Sequence, residues 1–214
     1  MVLFMLRLED ISDEYGKFLV SLARRAIEEY VRNGKRISPP KNTPSKLREK
    51  AGAFVTLNKI VDGEEELRGC IGYILPHFPL VEAVIDAAIS AATRDPRFDP
   101  VLEYELESIV VEVTVLTPLQ KIDVSNPNEY LEKIEIGKDG LLLEWKGFGG
   151  TLLPQVPVEY NWDVKTFLEH LCLKSGLPTD CWKWKDTVIY RYQGVIFKEK
   201  EPYGEIIRVE LKKH

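Results

Sequence analysis

The chain has 214 residues, of which 44% are hydrophobic and 29% charged, with a formal net charge of −5. That balance describes a folded chain of one large domain or two intimately packed lobes and excludes a disordered one. No apolar run reaches the roughly 18 residues a membrane helix needs, so no membrane partner is expected. The acidic excess weighs against nucleic acid as the main partner.

In chain order, Met1–Leu6 is apolar but gives way at once to Arg7, Glu9 and Asp10, too short a stretch for a secretory signal. A helix follows. Ser12 is a good N-cap, Asp13 and Glu14 suit its positive end, and Gly34 is its stop. Tyr15, Phe18, Leu22, Ala26 and Tyr30 recur at the spacing of a core-facing stripe. Residues 24–50 hold nine basic residues against three acidic ones, which makes a local basic patch for nucleic acid the one exception to the charge argument. A solvated helix face and loop explain the same composition. Residues 35–47, rich in proline and polar groups, read as a surface loop.

Residues 53–59 alternate as a half-buried strand, Asp62-Gly63 is a hairpin turn, and a second strand runs from Leu67 to Leu75 before Pro76 ends it. Pro79 opens an alanine-rich helix that ends near Asp95-Pro96-Arg97-Phe98. A strand is predicted over 108–116 and a short helix near 127–132. A hairpin pairs 134–136 with 141–143 about the turn 137–140. Gly147–Gly150 turns the chain again before Leu152–Pro157, where two prolines bracket Gln155. Asn161 or Asp163 caps a third helix running to about Lys174, and strands follow over roughly 187–197 and 205–211. The order strand–strand–helix–strand, given twice, points to an α+β fold with a mainly antiparallel sheet in two similar halves, although no sequence repeat is visible.

Leu67-Arg68-Gly69-Cys70-Ile71-Gly72 is the one stretch that places a thiol, a cation and two glycines within six residues. Cys70 is the candidate nucleophile, since an arginine two positions away favours the thiolate. A buried free cysteine that merely packs is the alternative. Arg68, Gly69, Gly72, Asp95, Arg97 and Gln155 are the candidate groups for binding an anion or a carbonyl. Arg97 pairing with Asp95 as a structural clip is the competing reading. The histidines are His77, His170 and His214. His170 is the candidate supporting residue should the fold bring it near the thiol. Three cysteines without regular spacing argue against a disulfide framework and for a reducing cytoplasm. Cys172, Cys181 and His170 are too sparse for a zinc site, so no metal is expected. No phosphate-binding loop, dinucleotide fingerprint or paired-cysteine redox motif is present, and no cofactor is expected.

The hexapeptide, with Leu22-Ala23-Arg24, Phe54-Val55-Thr56-Leu57, Asp95-Pro96-Arg97-Phe98, Leu152-Leu153-Pro154-Gln155-Val156, Trp162 and Trp182, resembles the AMMECR domain family over nearly the whole chain. The resemblance implies an antiparallel α+β fold of duplicated character, in a large and a small lobe with the hexapeptide near the cleft between them. It also implies company: prokaryotic members occur beside or fused to Memo-type and radical S-adenosylmethionine proteins. It supplies no reaction, and proposed roles in transcription, replication, repair or translation rest on the family's wide distribution. Two readings follow, the first the leading one and the second its alternative. In one, Cys70 serves a cleft enzyme or modification factor whose Arg68 and Arg97 bind an anionic or carbonyl group. In the other, the chain is a non-catalytic module that receives a small molecule or protein partner.

Overall fold

The computed structural model describes residues 8–210. The opening stretch Met1–Leu6, Leu211 at the end of the last predicted strand, and His214 lie outside the described residues. Helix α1 spans Asp13–Asn33. The Ser12 hydroxyl accepts the Tyr15 N–H, and Gly34 ends the helix in the left-handed conformation at φ 64°. The buried stripe is Leu19, Val20, Leu22, Ala23, Ala26 and Ile27, while Tyr15, Phe18 and Tyr30 pack at its margin. The apolar face is thus rotated slightly from the predicted one.

Strands β1 (Gly52–Val61) and β2 (Glu64–Tyr73) form a hairpin. Its turn residues Asp62 and Gly63 both have positive φ (52° and 85°), the geometry that matches strand twist. Because the turn has only two residues, pairing resumes at Val61↔Glu64, and the acidic run Glu64–Glu66 belongs to β2 rather than to the turn. Helix α2 (Leu80–Thr93) and β3 (Ile109–Leu116) follow, then β4 (Gln120–Lys121) and the single turn α3 (Tyr130–Lys133). The predicted hairpin about 137–140 is displaced. Strand β5 (Asp139–Trp145) pairs with β6 (Phe148–Leu152), and the turn is Lys146-Gly147, with φ 45° and 88°. The helical turn α4 (Val156–Glu159), α5 (Val164–Lys174, capped by Asp163), β7 (Val188–Glu199) and β8 (Ile206–Val209) complete the chain.

The described residues fall into two compact units. One runs up to Pro118 and includes Val195–Val209; the other is Leu119–Gly194. In the first, β1 lies between β2 and β3, all antiparallel. Ala53, Val55, Leu57, Val111, Val113 and Val115 form the buried face, and α1 and α2 pack in the same core. In the second, β5 lies between β6 and β7, also antiparallel, and Leu141, Leu143 and Ile189 pack with Phe167, Leu168 and Leu171 of α5. Each unit therefore reads strand–strand–helix–strand with its first strand in the middle, the duplicated α+β plan expected from the element order.

Within the first unit, Arg24 of α1 is buried against Glu199 of β7. Its remaining N–H groups go to the carbonyls of Leu106 and Ile109 at 3.3 and 2.6 Å. The Glu199 carboxylate also accepts the Val111 N–H at 2.9 Å. In the second unit, Cys172 and Cys181 form a disulfide with a Cα–Cα distance of 5.8 Å. This corrects the expectation drawn from the cysteine count. The turn after α5 folds back so that two residues nine positions apart meet in the core, which spacing alone does not reveal. With a disulfide present, the cysteines no longer argue for a reducing cytoplasm. Among the described residues, no helix is long and apolar enough to cross a membrane.

Candidate functional site

The hexapeptide occupies the second half of β2, the edge strand of the first unit's sheet. Its pairing with β1 slips between Leu57 and Asn58: Leu57 faces Gly69 and Asn58 faces Leu67, so Arg68 is the extra residue of a bulge. The bulge directs Arg68 to Glu105, which takes two parallel hydrogen bonds of 3.0 Å from Nε and Nη2. Lys59 adds a contact at 3.2 Å and the Leu102 N–H another at 3.0 Å. Arg68, burial opposing it, draws the Glu105 carboxyl down to about 2. The Nη1 of Arg68 is buried without a hydrogen-bond partner.

Gly69 and Gly72 are set by packing. A Cβ on Gly69 would lie 2.2 Å from the Ala91 carbonyl oxygen of α2, and one on Gly72 would lie 2.3 Å from the Ala53 carbonyl oxygen and 2.4 Å from Phe54 Cγ. The alanine-rich face of α2 and the glycine of β2 are two halves of one close contact.

Cys70 lies directly opposite Thr56, which on its other side lies opposite Glu112. The Thr56 hydroxyl donates to Cys70 Sγ at 3.3 Å. The Cys70 N–H points away from β1 to the Asp95 carboxylate at 2.9 Å. That carboxylate is buried, and it also accepts the Arg97 N–H (3.1 Å), Nε (3.0 Å) and Nη2 (2.7 Å). Arg97 holds Asp95 far below the usual carboxylate range, with the two N–H groups assisting, and Asp95 raises Arg97 in turn. The Arg97 side chain stays half exposed, and its Nη1 has no partner in this network. The guanidinium groups of Arg68 and Arg97 lie 5.9 and 5.4 Å from the ring of Phe98.

The structure thus gathers Arg68, Gly69, Cys70, Gly72, Asp95 and Arg97 in one neighbourhood. It corrects one electrostatic expectation. The thiol is pushed up, not down: burial is the main cause, and Glu112 and Asp95 add to it against Thr56 and Arg97. Arg68 gives no help because Glu105 engages it. The clip between Arg97 and Asp95 is present, and the same carboxylate holds the Cys70 N–H. Gln155 and His170 belong to the second unit. Gln155 heads α4, its carbonyl accepting the N–H groups of Val158 and Glu159. His170 stacks on Trp162 at 3.9 Å, and Trp162 on Tyr160 at 5.1 Å. Among the described residues, no group of three or more His, Cys, Asp or Glu could hold a metal ion. Of the nine basic residues in 24–50, four form ion pairs within the described residues, while Arg25, Lys35, Lys41, Arg48 and Lys50 are exposed. Arg24 is buried, Arg32 pairs with Glu28 and Glu103, Arg36 with Asp86, and Lys46 with Asp10 and Glu49. Glu105 and Glu112, which contact this neighbourhood, carry no mark in the sequence, while Thr56 and Phe98 lie in segments that bear the family resemblance.

Comparison with known proteins agrees with this architecture. Residues 20–197 match the AMMECR1 family, and the chain belongs to it. A protein of Thermococcus onnurineus is 55% identical over 202 residues, covering 94% of this chain and 98% of its own. A protein of Methanocaldococcus jannaschii is 54% identical over 198 residues, covering 92% and 96%. The crystal structure of an uncharacterized protein of Pyrococcus horikoshii is similar, with a TM-score of 0.90 at 53% identity over 94% of this chain and 98% of that one.

Proposed function

We propose that the chain is a binding module, an accessory to a partner protein, whose working element is the Cys70–Asp95–Arg97 network beside the edge of β2. One observation carries this reading. Every part of the hexapeptide with a resolved role is spent on architecture: Arg68 on Glu105, Gly69 on Ala91, Gly72 on β1, and the Cys70 N–H on Asp95. Burial pushes the Cys70 thiol up, which favours a packing role over a resting nucleophile. Arg97, anchored by Asp95 with one nitrogen to spare, is then the group that receives an anion. Memo-type and radical S-adenosylmethionine proteins, implied by the family resemblance, are the partner classes to examine first.

A second reading keeps Cys70 as a nucleophile. It is favoured by the Thr56 hydroxyl on Sγ and by Arg97, which together suit attack on a carbonyl borne by an anionic substrate. Arg68, Gly69 and Gly72 would then shape or bind that substrate. Iodoacetamide labelling of Cys70 from pH 5 to 9 separates the readings. Cys70 is the free cysteine, so the native oxidised protein serves without further substitution. Slow labelling that rises only toward pH 9, with Cys70→Ser still binding its partner, is expected. Fast labelling at pH 6 would overturn the binding reading in favour of thiol chemistry.

A further inference from the structure

Among the described residues, no strand pairs with β2 on the side away from β1, and Cys70–Tyr73 are partly exposed. Because the Cys70 N–H goes to Asp95 and not to Thr56, Cys70 and Thr56 form a non-hydrogen-bonded pair. Antiparallel pairing alternates, so Val55 and Ile71 are the bonded pair and Gly72 again points its N–H and C=O away from β1. These groups and the Cys70 carbonyl line the rim of an edge strand, the template on which a further strand can pair. Asp95 already shows the chemistry that fits: its carboxylate stands where a neighbouring strand would present an acceptor.

The surroundings give that rim a sign. Arg97 stands beside Cys70, and its Nη1 has no hydrogen-bond partner among the described residues. Arg94, exposed at the end of α2, forms no ion pair among the described residues and lies close enough to lower the Tyr73 hydroxyl against the burial and Asp86 that raise it. Two cations therefore flank the last residues of β2. Apolar surface is exposed just beyond: Leu75 is 46% and Phe78 47% exposed, and the Phe78 ring meets Tyr73 edge-on at 5.7 Å. The opposite end of the same strand carries Glu64, Glu65 and Glu66. An acidic occupant is attracted to one end of the edge and repelled from the other.

From this we infer that the edge of β2 at Cys70–Tyr73 receives an extended, carboxylate-bearing segment of a partner polypeptide. The segment pairs with the outward groups of Cys70 and Gly72, sets its carboxylates on Arg94 and Arg97, and covers Leu75 and Phe78 with an apolar side chain. This names the partner surface of the binding module proposed above and rests on that reading.

The test uses the full chain and a fluorescein-labelled peptide of alternating serine and valine that ends in two aspartates and a free carboxylate. An amidated asparagine version is the control. Saturable binding of the acidic peptide is expected, at least about tenfold tighter than the control and weakened by raising salt from roughly 50 to 300 mM. Arg97→Glu is expected to lower affinity about tenfold. Because that change also disturbs Asp95, Arg94→Glu, which breaks no internal ion pair, is measured beside it with the same expectation. Amide exchange then reports the geometry: the Gly72 N–H exchanges quickly in the free protein and slows about tenfold or more when the peptide saturates. Equal affinity for both peptides overturns the inference, as does binding that leaves Gly72 exchange unchanged. Gly72 protection that grows with protein concentration without peptide overturns it in favour of a second copy on the edge. Labelling of Cys70 decides the binding reading by itself and involves no peptide, so failure of one is distinguishable from failure of the other.

Discussion

Gly69 lies so close beneath Ala91 that a β-carbon on it would sit 2.2 Å from the Ala91 carbonyl oxygen. The obstacle is helix backbone, which no rotamer change can move aside. Gly69→Ala must therefore push α2 off β2 and disturb the packing of Ala87, Ala88 and Ala91. We expect a loss of about 2–3 kcal/mol, the scale of an overpacked core, read as a melting temperature lower by about 5–10 °C. Gly63→Ala, at a turn with nothing within 4 Å but φ of 85°, is the contrast, because its cost is backbone strain alone. A wild-type melting temperature for Gly69→Ala would refute the close-packing account.

The position of this contact was partly legible in the sequence. Alanines on α2 announced close packing, and Asp62-Gly63 announced the hairpin. The partners of Cys70 were not legible, for a definite reason. A two-residue turn at Asp62-Gly63 sets a register that, without a bulge, places Thr56 opposite Gly69. The extra residue at Arg68 moves Cys70 there instead, and nothing local marks that residue as bulged. Glu105 is 37 positions from Arg68, and only the fold brings it near. The displaced second hairpin has a similar cause: Gly137-Lys138-Asp139-Gly140 looks like a turn, yet Lys146-Gly147 supplies the two positive φ values that a tight hairpin needs.

The charges around Cys70 predict how its titration responds to substitution. Glu112 raises the thiol and Arg97 lowers it, burial being the larger cause. Glu112→Gln should shift the midpoint of iodoacetamide labelling to lower pH. Arg97→Ala should shift it upward, since it removes a cation and leaves the Asp95 charge uncompensated. An unmoved midpoint in both variants would show that burial alone sets the thiol.

Glu105 predicts an acid-sensitive increment of stability. Its carboxyl falls from an ordinary 4.5 to about 2, with Arg68 the main cause. A carboxyl depressed on folding stabilises the native state above its unfolded value, and that contribution fades as pH falls from about 4.5 toward 2. Glu105→Gln should be less stable than the wild type at pH 7, and the difference should shrink through that window. Urea unfolding of both proteins at pH 7, 4 and 2.5 measures it. A gap that stays constant with pH would mean that the contact works through shape and not through charge.

Arg24 and Glu199 close the first unit from opposite ends of the chain, and both are buried. Removing one partner strands the other charge. Arg24→Met should cost about 3–5 kcal/mol, whereas Arg24→Met with Glu199→Met should recover much of that loss. Recovery should be incomplete, because the Val111 N–H and the carbonyls of Leu106 and Ile109 also lose their partners. If the double variant were no more stable than the single one, the cost would lie in those backbone groups and not in the unpaired carboxylate.

The disulfide between Cys172 and Cys181 joins the end of α5 to the segment that carries Trp182, both within the core of the second unit. Closing a loop of this size restricts the unfolded chain and is worth about 2–3 kcal/mol in the chain-entropy account. Because the bond is internal to one unit, reduction should lower the stability of that unit first and leave the buried pair of Arg24 and Glu199 intact. Thiol titration of the denatured, unreduced protein should find Cys70 alone, since the other two cysteines are bonded. After reduction, amide exchange should quicken in α5 and β5 before it does so in α1 and α2. Uniform quickening across both sets would show that the two units unfold together, and the disulfide would then stabilise the whole chain rather than one part of it.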